Sequence, residues 1–211
     1  MDFKKFTNQI TELKKIELGG LEAQFKLAPK LRLKYDKQKI NANNPKKAAV
    51  LVLFYPNKKN ETSILLTQRA SYKGTHSSQI SFPGGKVEKN DKSLVQTALR
   101  ETFEEVGVLQ NSVEIIREMT TVYIPPSNFL ATPFFAFTAR RPTFKTNHEV
   151  TEIIEITLKE LLSDDNIISV TKNTSYMKAT KVPAFSIRNK IIWGATGMML
   201  SEIKDLLKVV N

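Results

Sequence analysis

The amino-acid sequence predicts an α/β fold in which a mixed β-sheet is packed between helices. Apolar segments with strand character precede and follow one sharply capped helix, and a second amphipathic helix ends the chain. Hydrophobic residues make up 41% and charged residues 25% of the 211 positions, which is ordinary for a globular protein. A chain of this length can bury one well-formed core and still carry a short appendage.

The chain divides into a basic, partly helical N-terminal extension, residues 1–45, and a main domain, residues 46–211. Apolar residues recur at helical spacing near the start, at Phe3, Phe6, Ile10 and Leu13. We expect a second short helix over 21–27 and an irregular polar segment over 29–44. Residues 1–47 hold twelve basic and five acidic side chains, so this part contributes +7 to the net charge of +11.

The strands of the main domain are predicted from apolar runs between turn residues. Residues 48–55 form a continuous apolar run, typical of a strand buried on both faces, and residues 63–69 form its hairpin partner. Further strands are expected over 113–122, 131–138 and 149–156, a helical turn over 158–162, extended segments over 167–171 and 176–187, and a final helix over 194–209. Pro133 predicts an edge strand or a bulge.

A glycine-rich loop, Pro83-Gly84-Gly85, leads into the central helix. Ser93 and Gln96 fit a capping box, so the helix should begin near Leu94, and Gly107 suits the left-handed position after its end. One side of the helix is expected to be apolar, formed by Leu94, Val95, Ala98, Leu99, Thr102, Phe103 and Val106.

Glu101, Glu104 and Glu105 lie on the neighbouring arc of this helix, three and four residues apart. Their repulsion costs roughly 0.2–0.5 kcal/mol per pair, and negative charge in the last turn is disfavoured by the helix dipole. A solvated acidic face is one interpretation. The other is a site for a hard divalent cation, because Mg²⁺ prefers carboxylate oxygen and would reverse the sign of this cost.

The loop and helix resemble the signature of the Nudix hydrolases, which cleave nucleoside diphosphates linked to another moiety. The matching positions are Gly85, Arg100-Glu101, Glu104-Glu105 and Gly107. The usual signature has a Glu six residues after the glycine and then seven residues before Arg-Glu. This chain has Asp91 at the sixth place and eight residues before Arg100. The extra residue falls at the helix entry, so we leave Asp91 out of the predicted metal site.

A second motif, just upstream, is similar to that of the coenzyme A pyrophosphatase branch of the Nudix superfamily. The matching positions are Leu65, Leu66, Thr67, Arg69, His76, Ser77 and Gln79-Ile-Ser-Phe-Pro-Gly-Gly85. Ser78 and Lys73-Gly74 depart from the branch pattern. A third similarity covers Val182–Phe185 and Ile192–Thr196, so the resemblance extends over about residues 46–208.

The resemblance implies a Nudix α/β/α sandwich and metal-dependent hydrolysis of the pyrophosphate bond of coenzyme A or its thioesters. The products would be (acyl-)4′-phosphopantetheine and adenosine 3′,5′-bisphosphate. Mg²⁺ or Mn²⁺ would be held by Glu101, Glu104, Glu105 and the Gly85 carbonyl oxygen. Besides Glu105, the catalytic candidates are Glu101 and Glu149, either of which would take the proton of the attacking water.

Basic side chains near the two motifs are candidates for contacts with the substrate. Arg69, Lys73 and Lys86 are positioned in sequence to meet phosphate, and surface charge is the alternative for each. His76 would either donate to phosphate or stabilise its loop. Arg100 is expected to support the site by orienting a glutamate through an ion pair.

Other protein classes are excluded or disfavoured by composition. The absence of cysteine excludes disulfides and thiolate metal sites, and no apolar run approaches the roughly 20 residues of a membrane span. We therefore expect a cytoplasmic protein. The resemblance implies an enzyme with a small, coenzyme A-like substrate and no nucleic-acid partner, and a homodimer is compatible with the sequence. The alternatives are a Nudix pyrophosphatase for ADP-ribose or NADH, and a nucleic-acid-binding protein with a vestigial signature.

Overall fold

The computed structural model describes residues 1–70, 79–174 and 177–210. Its helices are Phe3–Asn8 (α1), Ile10–Leu13 (α2), Gly20–Phe25 (α3), Lys37–Ala42 (α4), Leu94–Val106 (α5), Leu158–Leu162 (α6) and Gly194–Val210 (α7). Its strands are Lys46–Pro56 (β1), Thr62–Arg69 (β2), Ile80–Ser81 (β3), Gly84–Lys86 (β4), Glu114–Glu118 (β5), Val122–Ile124 (β6), Phe129–Phe137 (β7), Val150–Thr157 (β8), Ile167–Thr174 (β9), Met177–Ile187 (β10) and Lys190–Trp193 (β11).

The predicted mixed sheet is confirmed, and β1 lies at its centre. The strand order is β3-β2-β1-β7-β5, with β4 also paired to β1, β6 to β7 and β8 to β2. β1 runs parallel to β7 but antiparallel to β2 and β4. Strands β9, β10 and β11 form a second, antiparallel sheet. The hairpin expected between residues 48–55 and 63–69 is present as β1 and β2.

Both faces of β1 are buried, which explains its continuous apolar sequence. Val52 and Phe54 belong to a core that includes α7 and the N-terminal helices. Leu51 and Leu53 belong to a second core, on the side of the sheet where α5 packs. The sheet therefore separates two apolar layers, as an α/β sandwich requires.

Residues 1–45 pack against the sheet and α7. The Phe6 ring is fully buried and stacks on Phe54 with 4.9 Å between ring centroids. The Glu202 carboxylate on α7, itself buried, accepts hydrogen bonds from Gln24 Nε2 at 3.0 Å and from the Gly20 backbone N–H at 3.1 Å. The N-terminal segment thus contributes apolar side chains to the same core as the last helix.

The irregular segment expected over 29–44 is wrong in part. Residues Arg32–Lys34 form a 3₁₀ turn, and α4 follows it. α4 begins where Asp36 Oδ1 accepts the Lys39 backbone N–H at 2.8 Å. This N-cap was the missed signal, because α4 has no buried residue and so lacks an apolar stripe.

The single strand expected over 113–122 is two strands, β5 and β6. Of the two alternatives expected for Pro133, an edge strand or a bulge, the edge position is wrong. Pro133 lies within β7, an interior strand, opposite Val50 of β1. Its carbonyl accepts from Met119 N–H at 2.9 Å, in the break between β5 and β6. The backbone N and O of one residue point to the same side of a strand. The nitrogen of Pro133, which has no hydrogen to donate, therefore faces this break.

Two short strands were not predicted. β4 is formed by the glycine segment Gly84–Lys86 itself, which was expected to be a loop, and β11 precedes α7. Three residues of β4 pair with Ala48, Ala49 and Val50 of β1, so the glycine segment is anchored to the central strand. No helix in the described ranges is both long and apolar enough to cross a membrane.

Candidate active site

The local sequence determines where α5 begins and ends. The Ser93 side chain accepts the Gln96 backbone N–H at 3.2 Å, while Gln96 Oε1 accepts from Lys92 N–H at 2.7 Å. The predicted capping box is therefore confirmed, except that the Gln96 side chain accepts from Lys92 N–H, one residue before the N-cap, and not from Ser93 N–H. Gly107 adopts φ +75°, the left-handed conformation that ends a helix, and its N–H donates to Phe103 O.

The predicted apolar side of α5 is confirmed for Ala98, Thr102 and Val106, which are buried. It is wrong for Phe103, whose side chain is exposed, and it omitted Glu105, which is 3% exposed. The buried stripe is rotated so that Glu105 faces β4. A carboxylate therefore occupies a position that packing alone would give to an apolar side chain.

Glu105 is held from two directions. Its Oε2 accepts the Gly84 N–H at 3.1 Å, and its Oε1 lies 3.3 Å from Arg69 Nη1. The same guanidinium donates through Nη2 to Glu149 Oε2 at 3.2 Å. Arg69 therefore bridges a glutamate of the helix and the glutamate just before β8, which are 44 residues apart in the chain.

Gly85 lies directly against Glu101. A β-carbon added to Gly85 would be 2.5 Å from the carboxylate carbon of Glu101 and 2.6 Å from each of its oxygens. Real β-carbons do not approach so closely, so only glycine fits while Glu101 keeps this position.

Arg100 is anchored by Asp91 rather than by a glutamate alone. Its Nε and Nη2 both donate to Asp91 at 2.9 Å, and Asp91 Oδ2 also accepts from Thr97 Oγ1 at 2.8 Å. Arg100 Nη1 then donates to Glu101 at 3.0 Å and to Glu104 at 3.2 Å. The ion pair expected to orient a glutamate is present, and Asp91 fixes the arginine that makes it.

Burial and mutual repulsion raise the pKa of the two inner glutamates. Burial raises the pKa of Glu105 to about 7, although Arg69 and the Gly84 N–H act in the opposite direction. Burial also raises the pKa of Glu101 above its usual range, against the effect of Arg100. The neighbouring Glu149 carboxylate adds to both shifts. The cluster is thus short of positive charge despite its two arginines.

The donor set fits a divalent cation. Glu101 lies against Gly85 and Glu105 against Gly84, and Glu104 and Glu149 are close enough to affect their charge. Hard cations prefer such oxygen ligands. Across residues 1–70, 79–174 and 177–210, no three acidic or histidine side chains are already gathered at metal-ligand spacing. Arg69 and Arg100 instead hold the carboxylates in pairs, so binding requires these side chains to rotate towards a common centre.

A cleft of about 350 Å³ adjoins this cluster on the opposite side of the glycine segment. Arg69, Gly84, Gly85 and Lys86 line the cleft, whereas none of the four glutamates is among its described lining residues. Its other walls come from residues 29–32, from β6 and from the start of α7. The glycine segment therefore stands between the acidic cluster and the cleft.

Most of the predicted site residues are brought together. Lys86 is exposed, and its carbonyl accepts from Arg100 Nη2 at 3.2 Å. Lys73 and His76 lie outside the described residues. Sequence analysis missed the anchoring role of Asp91 and the presence of Arg32 in the cleft wall. A carboxylate nine residues before Arg100 was the available signal for the first. No local pattern pointed to the second.

Comparisons with known proteins identify the family of this chain. The NUDIX domain family matches residues 45–172, more than half of the chain. The chain is 30% identical over 150 residues to the "Uncharacterized Nudix hydrolase NudL" of Yersinia pestis (strain Pestoides F), covering 71% of this chain and 74% of the relative. The same figures hold for the protein of that name in Yersinia pseudotuberculosis serotype O:1b (strain IP 31758).

A solved structure has a similar fold. The MutT/nudix family protein from Enterococcus faecalis superposes with a TM-score of 0.52 at 18% identity, covering 82% of this chain and 64% of that one. Nudix hydrolases generally use divalent metal ions. The family match and the Yersinia relatives together show that this chain belongs to the Nudix hydrolases, enzymes that cleave the pyrophosphate bond of a nucleoside diphosphate linked to another moiety.

Proposed function

We propose that this enzyme hydrolyses the pyrophosphate bond of coenzyme A or its thioesters, releasing (acyl-)4′-phosphopantetheine and adenosine 3′,5′-bisphosphate. One observation carries the proposal. The motif segment that resembles the coenzyme A pyrophosphatase branch, from Gln79 to Gly85, lines the cleft on one side and contacts the glutamate cluster on the other. A substrate lying in the cleft would present its pyrophosphate at this segment.

The chemistry of the cleft suits such a substrate. Apolar side chains dominate the lining, including Ile80, Phe82, Ile124 and Met198, and they can receive a long uncharged arm. Lys86 at the edge and Arg69 beside the glutamates supply positive charge for phosphate oxygens. We propose both as substrate-binding residues, together with Lys73 and His76 of the same motif.

The metal ligands we propose are Glu101, Glu104 and Glu105 with the Gly85 carbonyl oxygen. When bound, Mg²⁺ or Mn²⁺ would neutralise negative charge on the pyrophosphate and lower the pKa of a bound water molecule. Glu105 is buried beside Gly84, whose N–H its Oε2 accepts, and its Oε1 would exchange the contact with Arg69 for the cation. Arg100 keeps Glu101 and Glu104 adjacent, and Asp91 keeps Arg100 in place.

Two carboxylates remain candidates for the proton acceptor. Glu101 has only Oε1 bound to Arg100 among its described contacts, and burial raises its pKa, which makes its carboxylate a stronger base. Glu149 is exposed over 47% of its side chain and is oriented by Arg69. The pH–rate profiles of Glu101→Gln and Glu149→Gln identify the proton acceptor. The variant that lacks it should no longer show the fall in rate at acidic pH that protonation of this carboxylate causes in the wild type.

A substrate panel tests the proposed function. Purified protein is assayed with Mg²⁺ and with Mn²⁺ on coenzyme A, a short and a long acyl-coenzyme A, ADP-ribose, NADH and capped RNA, with products identified by mass. We expect the highest kcat/KM on coenzyme A or its thioesters. Failure to cleave any of them, alongside turnover of ADP-ribose or NADH, would replace the proposed substrate with another nucleoside diphosphate conjugate.

A filter-binding titration tests the nucleic-acid alternative. The surplus of basic side chains in residues 1–47 is diffuse, and weak binding that shows little sequence preference is expected. Tight binding of RNA or DNA with a steep salt dependence, in the absence of pyrophosphatase activity, would favour that alternative.

A further inference from the structure

Arg32 places a buried guanidinium group in the wall of the cleft. The residue is 4% exposed, and its guanidinium carbon lies 5.2 Å from the centroid of the Phe25 ring and 5.8 Å from that of the Tyr123 ring. Its Nη1 donates to the Tyr35 carbonyl at 2.8 Å. Both rings are therefore within cation–π distance of the guanidinium.

The charge of Arg32 is not matched within the part of the chain that the structure describes. Its Nε is buried without a hydrogen-bond partner, and no carboxylate there pairs with the guanidinium. Burial lowers the pKa of Arg32. Buried cations are normally paired, since an isolated charge in an apolar environment is costly. Arg32 is a buried guanidinium that lines the cleft and has no carboxylate partner. This indicates that an anionic group of the ligand pairs with it.

This anion is not the pyrophosphate at the glutamate cluster. Lys86 pairs with Ala48, Ala48 with Ala131 and Ala131 with Val122, the residue before Tyr123. Three inter-strand steps of about 4.8 Å separate the glycine segment from the Tyr123 wall, or roughly 14 Å. A pyrophosphate near Gly85 and an anion on Arg32 are thus different groups of the ligand.

We propose that Arg32 is a specificity-determining residue that binds an anionic group of the substrate other than the scissile pyrophosphate. The identity of the substrate rests on the proposed function. In that substrate class the group is either the 3′-phosphate of the nucleoside or a carboxylate at the end of an acyl chain. Both present oxygens that a guanidinium can bind through charge-assisted hydrogen bonds.

A kinetic cycle tests this role and identifies the group. Arg32→Met is compared with wild type on coenzyme A against 3′-dephospho-coenzyme A, and on succinyl- against butyryl-coenzyme A. If the group is the 3′-phosphate, kcat/KM should fall roughly 10- to 100-fold on coenzyme A and on both thioesters, which carry it, and little on 3′-dephospho-coenzyme A. If it is the terminal carboxylate, a fall of this size should be confined to succinyl-coenzyme A. An equal loss on all four substrates would overturn the proposal.

Lys30→Met is the matched control. Lys30 lies two residues away on the same segment, is exposed and does not line the cleft. Lys30→Met therefore removes one positive charge from the same region without changing the cleft wall. It should lower all four rates equally and slightly, through long-range electrostatics alone. A Lys30→Met profile identical to that of Arg32→Met would reduce the effect to net charge and overturn the assignment.

A binding measurement covers the case in which Arg32→Met does not fold. Arg32→Lys keeps the charge but loses the planar fork. Calorimetry without metal compares adenosine 3′,5′-bisphosphate with adenosine 5′-monophosphate, and a succinyl with a butyryl thioester. Wild type should prefer one anionic member about tenfold or more, and Arg32→Lys should lose most of that preference. No preference in wild type, or one unchanged in Arg32→Lys, would overturn the proposal.

Failure of the proposed function is distinguishable from failure of this inference. If the wild-type enzyme does not cleave coenzyme A compounds, the cycle is run on NADPH against NADH, which differ by one phosphate. A phosphate preference that disappears in Arg32→Met supports the role of Arg32 with a different substrate. Equal rates on both dinucleotides, in wild type and variant alike, would overturn it.

Discussion

Gly85 and Glu101 are in such close contact that a β-carbon on Gly85 would lie 2.6 Å from both carboxylate oxygens of Glu101. The two residues are 16 positions apart, one in the glycine segment and the other on α5. Because β4 is anchored to β1, the glycine segment fixes the distance between the central strand and the acidic side of the helix. The missing side chain is therefore part of the geometry of the site.

Gly85→Ala should reduce activity without unfolding the protein. The new methyl group must displace the Glu101 carboxylate, and we expect a fall in kcat/KM of roughly 10²-fold or more, since small misplacements of catalytic groups have effects of this size. The far-ultraviolet circular dichroism spectrum should be unchanged. Gly197→Ala is the control, because its β-carbon would meet its nearest neighbour at an ordinary 3.5 Å. Full activity of Gly85→Ala would contradict the close contact.

Glu105→Gln should lower turnover by orders of magnitude, roughly 10²- to 10⁴-fold, while the fold is retained. The amide still accepts from the Gly84 N–H but loses the negative charge proposed to bind the cation. Single-turnover rates and the Mg²⁺ dependence of kcat are the measurements. Glu114→Gln on β5, an exposed position, should behave as wild type. Near-normal activity of Glu105→Gln would remove Glu105 from the proposed ligand set.

The same variant should change how stability depends on pH. The folded-state pKa of Glu105, about 7, lies above the ordinary value of 4.5. Its contribution to stability is thus fully present below pH 4.5 and is lost as the pH rises through 7. Relative to wild type, Glu105→Gln should gain up to roughly 3 kcal/mol between these limits. Urea unfolding in EDTA at pH 5 to 8 measures this. A pH-independent difference would show that burial does not raise this pKa.

Asp91→Asn should release Arg100. It removes a charge-assisted pair of hydrogen bonds at a side chain that is 3% exposed, and should cost about 1–3 kcal/mol of unfolding free energy. Activity should fall as Glu101 and Glu104 lose their fixed partner. The pKa of Asp91 is lowered by Arg100, so the lost stability should be greatest above pH 4 and vanish on acidification.

Glu88→Gln is the control for the Asp91 variant, since exposed Glu88 reaches Arg100 only at 4.0 Å. It should cost less than about 0.5 kcal/mol. Equal effects of the two substitutions in chemical unfolding would show that Asp91 does not anchor Arg100.

Phe6→Ala should destabilise the whole protein. The ring is fully buried against Phe54, and truncating such a side chain typically costs about 3–5 kcal/mol. A single cooperative unfolding transition shifted by this amount would show that residues 1–45 fold with the rest of the chain. Phe103→Ala, at an exposed position of α5, should change little. A low-temperature transition confined to the N-terminal helices would contradict the shared core.

The secondary structure was predicted best where local signals agree. Ser93 and Gly107 mark the ends of α5 by capping chemistry that acts within a few residues, and both were correct. The apolar run at β1 identified the central strand for the same reason. The prediction failed at α4 and at the break between β5 and β6, where local signals do not agree in this way. The first depends on one Asp cap without an apolar stripe, and the second on a proline in a neighbouring strand.

The acidic cluster was predictable as a set of residues but not as a set of contacts. Three glutamates at helical spacing are visible in one stretch of chain, and Gly85 precedes them at a recognisable distance. The Arg69 bridge to Glu149 joins residues 80 positions apart, and no periodicity links them. Lys73 and His76, in the motif next to Arg69, remain predictions.

By itself, the sequence determined the capped helix, the buried central strand and the presence of surplus carboxylates, because these depend on interactions within a few residues. The tertiary structure alone decided that Glu105 is buried beneath the glycine segment, that Asp91 fixes Arg100 and that Arg32 of the N-terminal segment enters the cleft wall. The reason is physical. A side chain's burial and partners depend on segments that are distant in sequence, and only the paired strands bring those segments together.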